Sequence, residues 1–391
     1  MKRSALLFSA LLVGAASAAN AQGLSMQMSN GWNFSFAGNV NIFAQYQSLS
    51  KSNNATGSTS EFLINGGDTK GLYYGTGLLP AFATFAATGK EGNTDLGAHF
   101  GFAPEVQCGS NSHDCFGAQI DMRQVFLTAG GSWGTITAGK ELGVYQRANI
   151  LNDQTLFGVG GPNNLSGSLA PGGTTLGRIG YGYIYPNFVP QFTYSSPAGR
   201  STSFNIGLME PSRFGTYTEL TTPRLEADVT FKASSITFNV SGTVQNGKDP
   251  VADDSKTAVG GAAVIGYKAS QFSLTGSGYF GKGLGTTLMF GGISGGASVI
   301  GGELTTSYGY IGQLTYTAGK ATLAGSYGSS FLKDDAKTFK TENSLISGGV
   351  YYQATKSLKV VGEGDYAWSK DKEASGKNKS FTAAFGLMLF Y

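Results

Sequence analysis

Apolar and polar residues alternate along most of the chain with a period of two. Over residues 224–232, Leu225, Ala227, Val229 and Phe231 alternate with Arg224, Glu226, Asp228, Thr230 and Lys232. Over 236–245, Ile236, Phe238, Val240 and Val244 alternate with Thr237, Asn239, Ser241, Thr243 and Gln245. The same split recurs at 34–47, 271–280 and 358–368. Successive side chains of a strand point to opposite faces, so each segment reads as a strand with one apolar and one polar face. Beyond the N-terminal stretch no segment shows the helical period of 3.6. A soluble sandwich would bury the apolar faces against a second sheet, and no second family of apolar segments is present to do so. A barrel that turns its apolar face to lipid and its polar face to a lumen fits.

The pattern predicts 16 strands, at 32–48, 72–89, 95–103, 116–130, 134–142, 176–194, 201–210, 224–232, 236–245, 258–268, 270–280, 303–317, 320–329, 343–354, 357–369 and 380–391. Short connections such as 91–94, 131–134 and 233–235 alternate with long ones such as 50–71, 104–115, 143–175 and 246–257. An even, closed antiparallel barrel with short periplasmic turns and long outer loops predicts that alternation. Segment 176–194 is awkward. Ile179, Tyr181, Tyr183 and Tyr185 form one apolar face, and Phe192 and Tyr194 continue it with the parity flipped near Pro186 and Pro190. We read one bulged strand, since the rival hairpin at 185–189 breaks the alternation downstream. Trp32, Tyr46, Tyr181, Tyr183, Tyr185, Tyr308, Tyr310, Tyr316, Tyr351 and Trp368 are candidates for interfacial aromatic girdles. The last strand is the most apolar, with Phe381, Ala383, Phe385, Leu387, Leu389 and Tyr391 on one face. Exposed as an edge it would aggregate, whereas in a closed barrel it pairs with the first strand.

Composition agrees. The chain has 391 residues with 60 Gly, 10 Pro and 2 Cys, and 13% of its residues are charged. Glycine is thus roughly twice its usual ~7% and charge about half its usual ~25%. The absence of a Gly-X-Y period excludes collagen, and 12% aromatic residues argue against simple disorder. At the N-terminus, Lys2 and Arg3 precede an apolar run from Ala5 to Ala16, followed by Ala19-Asn20-Ala21. This reads as a signal peptide over residues 1–21, cleaved before Gln22. Removing Lys2 and Arg3 lowers the formal net charge of +3 to +1, and no basic run points to a nucleic-acid partner. Cys108 and Cys115 lie in a loop-like stretch with His113 between them. Two Cys and one His fall short of the four ligands of a structural zinc site, and export favours a disulfide.

Taken together, the chain resembles the Gram-negative porin family of trimeric 16-stranded diffusion channels. The resemblance rests on the terminal Phe390-Tyr391, on GAQIDMRQVFLTAG (117–130), on AGKELGVYQRANILNDQTLFGVGG (138–161) and on GRIGYGYIY (177–185). It implies an all-β transmembrane antiparallel barrel whose third loop folds into the lumen, no catalytic step and no cofactor. It also implies a homotrimer in the outer membrane of a Gram-negative bacterium, contacting lipid and passing small hydrophilic solutes and ions. The terminal aromatic is similar to the signal read by the outer-membrane assembly machinery. Carried over from the resemblance, Asp153 falls where the family has a loop acid, and Lys140 and Arg178 where it has basic wall residues. Phe157 stands where a second loop acid is expected, which implies an eyelet less acidic than that of a cation-preferring porin.

Opposed charges across a narrow, low-dielectric gap set ion preference. Arg123, Lys140, Arg147 and Arg178 are the candidates for the basic side, and Asp121, Glu141 and Asp153 for the acidic side. Asp121 shares face parity with Arg123 and is placed to pair with it. Strict alternation keeps Lys140 and Glu141 from both facing the lumen, so Lys140 is read as wall and Glu141 as the first residue of the loop. Two other functions remain as rivals. One is a solute-selective channel for sugars or anions. The other is an outer-membrane barrel enzyme, disfavoured because nothing places a Ser nucleophile and an acid beside His99. Gly158, Gly160 and Gly161 lack the strand-to-helix setting of a phosphate loop and read as loop flexibility.

Overall fold

The computed structural model describes residues 23–52, 62–64, 67–104, 106, 120–161, 174–290, 297–334, 340–371 and 376–391. Strand β1 (Leu24–Gln27) leads into β2 (Asn33–Ser50). Strands β3 (Thr69–Gly75) and β4 (Phe82–Glu91) are two halves of one wall strand, and both pair with β2. The wall continues through β5 (Thr94–Pro104), β6 (Ile120–Gly131), β7 (Gly134–Leu142), β8 (Phe188–Ser195), β9 (Thr202–Met209), β10 (Arg224–Ala233), β11 (Ile236–Asp249), β12 (Asp254–Ala269) and β13 (Phe272–Lys282). After a small hairpin, β14 (Val299–Ile300) and β15 (Glu303–Leu304), it resumes as β16 (Thr306–Ala318), β17 (Ala321–Lys333), β18 (Lys340–Gln353), β19 (Leu358–Asp371) and β20 (Lys377–Phe390).

Counting β3 and β4 as one, the wall is a closed antiparallel barrel of 16 strands. Closure falls where the pattern predicts: β20 pairs with β19 on one side and β2 on the other. Gly38 and Tyr391 exchange backbone hydrogen bonds at 2.9 and 3.0 Å. From β5 to β20 each wall strand is paired on both sides, so their backbone polar groups find partners within the wall, as a lipid environment requires. The period-two split sorts the side chains. Val229, Phe231, Phe238, Val240, Leu314 and Phe385 are exposed on the outside, while Glu226, Asp228, Asn239, Ser241, Gln245 and Asp365 are buried inside. Among the described residues no helix is long and apolar enough to cross a membrane.

The structure departs from the sequence reading in four places. The predicted strand 72–89 is interrupted at 76–81, which folds inward. Its polar groups are held by asparagines of β2: Asn41 Nδ2 donates to Leu79 O at 2.9 Å, Asn39 Nδ2 donates to Pro80 O at 3.1 Å, and Gly77 N donates to Asn41 Oδ1 at 2.9 Å. Segment 176–194 is neither a bulged strand nor a hairpin. Only Phe188–Ser195 joins the wall; residues 174–187 lie inside the barrel, turned by Gly177, Gly180 and Gly182 at positive φ. Residues 246–257 form no long loop, because β11 and β12 continue outward and turn at 250–253. Finally, Tyr181, Tyr183 and Tyr351 are buried in the interior rather than in a girdle, whereas Tyr46 and Tyr310 are exposed on the outer surface. A bulge does occur, in β6, where Arg123 is the extra residue opposite the Gly101/Phe102 step of β5.

Candidate pore constriction

The third loop, 143–187, enters the lumen, as the resemblance implied. Its described part contains a short helix, α1 (Arg147–Asn152), a 3-10 turn at Gln154–Phe157 and the coiled segment 174–187. Apolar loop residues pack on inward-facing wall residues. Ile150, Leu156, Val159, Leu176, Ile179, Tyr181 and Tyr183 form one cluster with Phe43, Phe82, Ile311, Leu345, Val361, Met388 and Phe390. The lumen is therefore not uniformly polar: a packed core fills part of it. Ile64 and Leu63, from the first loop, join that core, their amides donating to Ser369 Oγ and Asn343 Oδ1 at 3.1 Å each.

Polar wall side chains fix the loop at three places. On β10, Glu226 Oε2 accepts from Val144 N at 2.7 Å and Tyr145 N at 2.9 Å. On β16, Gln313 brackets Asp153. Its Oε1 accepts from Gln154 N at 2.8 Å and its Nε2 donates to Asn152 O at 3.0 Å. On β19, Glu363 Oε1 accepts from Val159 N and Gly160 N, both at 2.7 Å, and Tyr351 donates to its other oxygen. The glycines here are not flexible links. A Cβ on Gly158 would fall 1.9 Å from Glu363 Oε2, and Gly160, with φ of 61°, lies against Gly177. Close approach of the loop to the wall requires Gly158, and close approach of two segments of the loop to each other requires Gly160.

The site residues named from sequence fall into two groups. Arg178 and Asp153 lie within the core. Arg178 is fully buried on the loop, not on a wall strand. Its Nη1 donates to Leu345 O at 3.1 Å and its Nε to Ser326 Oγ at 3.0 Å. Asp153 caps the 3-10 turn, accepting from Thr155 N at 2.9 Å and Tyr183 OH at 3.1 Å. Burial pushes the Asp153 carboxyl above the usual carboxylate range, against the pull of the Arg178 charge. Burial pulls the Arg178 guanidinium down, opposed by Asp153, Asp365 and Glu363.

The second group surrounds free space. Asp121, Arg123 and Lys140 line a cavity of about 290 Å³ with Tyr185, Asn187, Ile150, Leu156 and Ile179 opposite. Arg123 Nε meets Asp121 Oδ2 at 2.7 Å, the pairing that face parity predicts. Lys140 Nζ donates to Met122 O at 2.8 Å. Glu141 belongs to β7 and not to the loop, because the strand's pairing with β8 runs on to Leu142; its carboxylate accepts from Gln124 Nε2 at 2.9 Å. Arg147, on α1, donates to Gly143 O at 2.9 Å and reaches a larger cavity of about 820 Å³.

Four functional lumen residues escaped the sequence reading: Glu226, Gln313, Glu363 and Lys359. All have lumen-face parity, but parity alone does not tell a loop anchor from a solvated charge. Lys359 Nζ lies 3.5 Å from the centroid of the Phe157 ring. Where the resemblance leads one to expect a loop acid, the loop offers an aromatic face to a wall cation. His99 is buried and stacked on Phe126 at 4.6 Å. Cys108, Cys115 and His113 lie outside the described residues.

A closed barrel with an apolar exterior, a lumen narrowed by an inward loop and charged groups around the remaining space defines an outer-membrane channel. The chain belongs to the Gram-negative porin family, whose sequence profile matches residues 9–373. No curated protein matches it. Among solved structures it is similar to the outer membrane channel DcaP of Acinetobacter baumannii, at 16% identity over 94% of this chain and 99% of that one, with a TM-score of 0.66. It is also similar to an anion-selective porin from Comamonas acidovorans, at 12% identity over 92% and 100% of the two chains, with a TM-score of 0.61. OmpT of Vibrio cholerae is a third, at 13% identity over 95% and 100%, with a TM-score of 0.59.

Proposed function

We propose that this channel is a water-filled pore for passive diffusion of small hydrophilic solutes and ions. The observation that carries the reading is the third loop held across the lumen by Glu226, Gln313 and Glu363, with free volume left beside it. Such a loop narrows the path without adding a catalytic group. In this reading Arg123, Lys140 and Arg147 are the basic residues that solutes meet, and Asp121 and Glu141 the acidic ones. Arg178 and Asp153 act one layer deeper, by holding the loop. The protein assembles as a homotrimer after loss of residues 1–21, its last strand is read by the assembly machinery, and Cys108 bonds Cys115. Reconstitution in planar bilayers tests the function: stepwise, ohmic conductance is the expected result, and its absence from correctly folded trimers defeats the proposal.

A solute-selective channel is the second reading, favoured by the cavity in which Asp121, Arg123 and Lys140 face an apolar wall of Ile150, Leu156 and Ile179. Saturable block of the ionic current by one sugar or organic anion, and not by its size-matched relatives, selects it over general diffusion.

A further inference from the structure

The 820 Å³ cavity lies on the turn side of α1, against the inner face of β9–β13. Its roof is α1, with Arg147 and Asn152. Its mouth lies at the turns that join β8 to β9, β10 to β11 and β12 to β13. Arg200 comes from the first of these turns, and Lys232 and Lys268 from the ends of β10 and β12. Both lysines have lumen-face parity: Lys232 continues the series Arg224, Glu226 and Asp228, and Lys268 the series Ala258, Ala262 and Val264, all buried. Arg200, Lys232 and Lys268 are exposed to the cavity mouth, and Arg147 is half-buried.

Four cations thus surround one cavity, and none of them is held in an ion pair among the described residues. The acidic residue lining it is Asp228, which accepts from neutral amides and keeps its charge, so four cations face one carboxylate. Asn205 Nδ2 donates to Asp228 Oδ1 at 2.6 Å and Asn239 Nδ2 to its Oδ2 at 3.2 Å. The rest of the lining is rich in hydroxyls and amides, including Thr230, Thr237 and Thr275. A concave, low-dielectric enclosure with a surplus of one sign focuses the field and concentrates solutes of the opposite sign.

We infer that this turn-side vestibule is an anion-recruiting site for small oxyanions, solutes that carry carboxylate or phosphate groups. The inference rests on the channel reading and adds to it the sign of the solute and the side from which it is captured. Arg200, Lys232 and Lys268 set the preference together, and Arg147 passes the anion on beneath the loop.

The test is reversal potential in planar bilayers under a potassium chloride gradient, for the wild type and for a variant combining Arg200→Gln, Lys232→Gln and Lys268→Gln. These exposed positions carry no packing, so the variant folds and conducts. The wild type is expected to prefer chloride. The variant is expected to lose that preference by about twofold or more, with the largest difference in dilute salt, where the Debye length is ~10 Å, and little at 1 M, where it is ~3 Å. Succinate or inorganic phosphate added to one compartment at a time is expected to perturb the current from the turn side only. A response to one of the two identifies the favoured oxyanion. Equal reversal potentials in wild type and variant at low salt overturn the inference while leaving the channel intact. A protein that does not conduct at all overturns the channel reading instead.

Discussion

Glu226 and Glu363 hold the two arms of one loop in the same way. A single carboxylate oxygen of each accepts from two consecutive backbone amides, Val144 and Tyr145 for the first, Val159 and Gly160 for the second. Hydrogen bonds to a charged acceptor contribute about 1.5–3 kcal/mol each. Replacing Glu363 by Ala removes both bonds at the far arm and leaves Tyr351 OH unpaired. The expected outcome is a barrel that still assembles, melts at lower temperature and shows larger open-channel noise. Glu363→Gln, which keeps an acceptor, is expected to fall between. Single-channel recordings beside thermal melts check this, and quiet wild-type currents in Glu363→Ala would refute the anchoring role.

The contact of Phe157 with Lys359 gives a selectivity prediction. A desolvated cation–π contact is worth ~2 kcal/mol. Phe157→Ala uncovers the ammonium and is expected to move the reversal potential toward anions. Phe157→Glu neutralises it and moves the potential toward cations. Identical potentials in both variants would show that Lys359 does not face the conducting path.

Arg178 and Lys140 are expected to separate stability from selectivity. Arg178 is fully buried and donates to Ser326 Oγ and Leu345 O, and leaving a buried hydrogen-bonding group without its partner costs about 1–3 kcal/mol. Arg178→Ala therefore lowers the melting temperature, and Arg178→Lys does not restore it, since one ammonium cannot span Ser326 and Leu345 as the guanidinium does. Lys140→Ala is expected to leave melting unchanged and shift the reversal potential toward cations. Calorimetry and bilayer recording on the same preparations separate the two effects.

Alkali should loosen the loop. Burial raises the hydroxyls of Tyr145, Tyr181, Tyr183 and Tyr185 above the ordinary 10.0. Each stays protonated in the packed loop at a pH where it ionises once released. Their contribution to loop docking is thus whole below pH 10 and is lost as pH climbs toward the raised values. Tyrosinate absorbance is expected to appear in two phases, exposed tyrosines first, with the late phase coinciding with a rise in conductance. A single phase centred near 10 would contradict the packing.

The wall was legible in the sequence because its code is local. Alternation such as Leu225 to Lys232 sets both strand and face, and β7 is found at the residues predicted for it. The interior was legible only in part. Segment 176–187 alternates like a strand, with Ile179, Tyr181 and Tyr183 in series, and alternation alone does not tell lipid from a packed interior as what receives the apolar side chains. Positive φ at Gly177, Gly180 and Gly182 takes it out of the wall, and glycine is too common in this chain to signal that. The Asp121–Arg123 pair followed from parity. The roles of Glu226 and Glu363 depend on which loop amides come within reach, and that is settled by contacts across the lumen.

The packed interior has a consequence for how this protein can vary. Core and aqueous path share one enclosure of fixed circumference, so volume taken by one is withdrawn from the other. Trimming Leu156 or Ile179 to alanine enlarges the passage while removing cohesion, at about 2–5 kcal/mol per site. Permeability and robustness are thereby tied in opposition, and a lineage under pressure to admit larger nutrients would have to recover the lost cohesion in the wall.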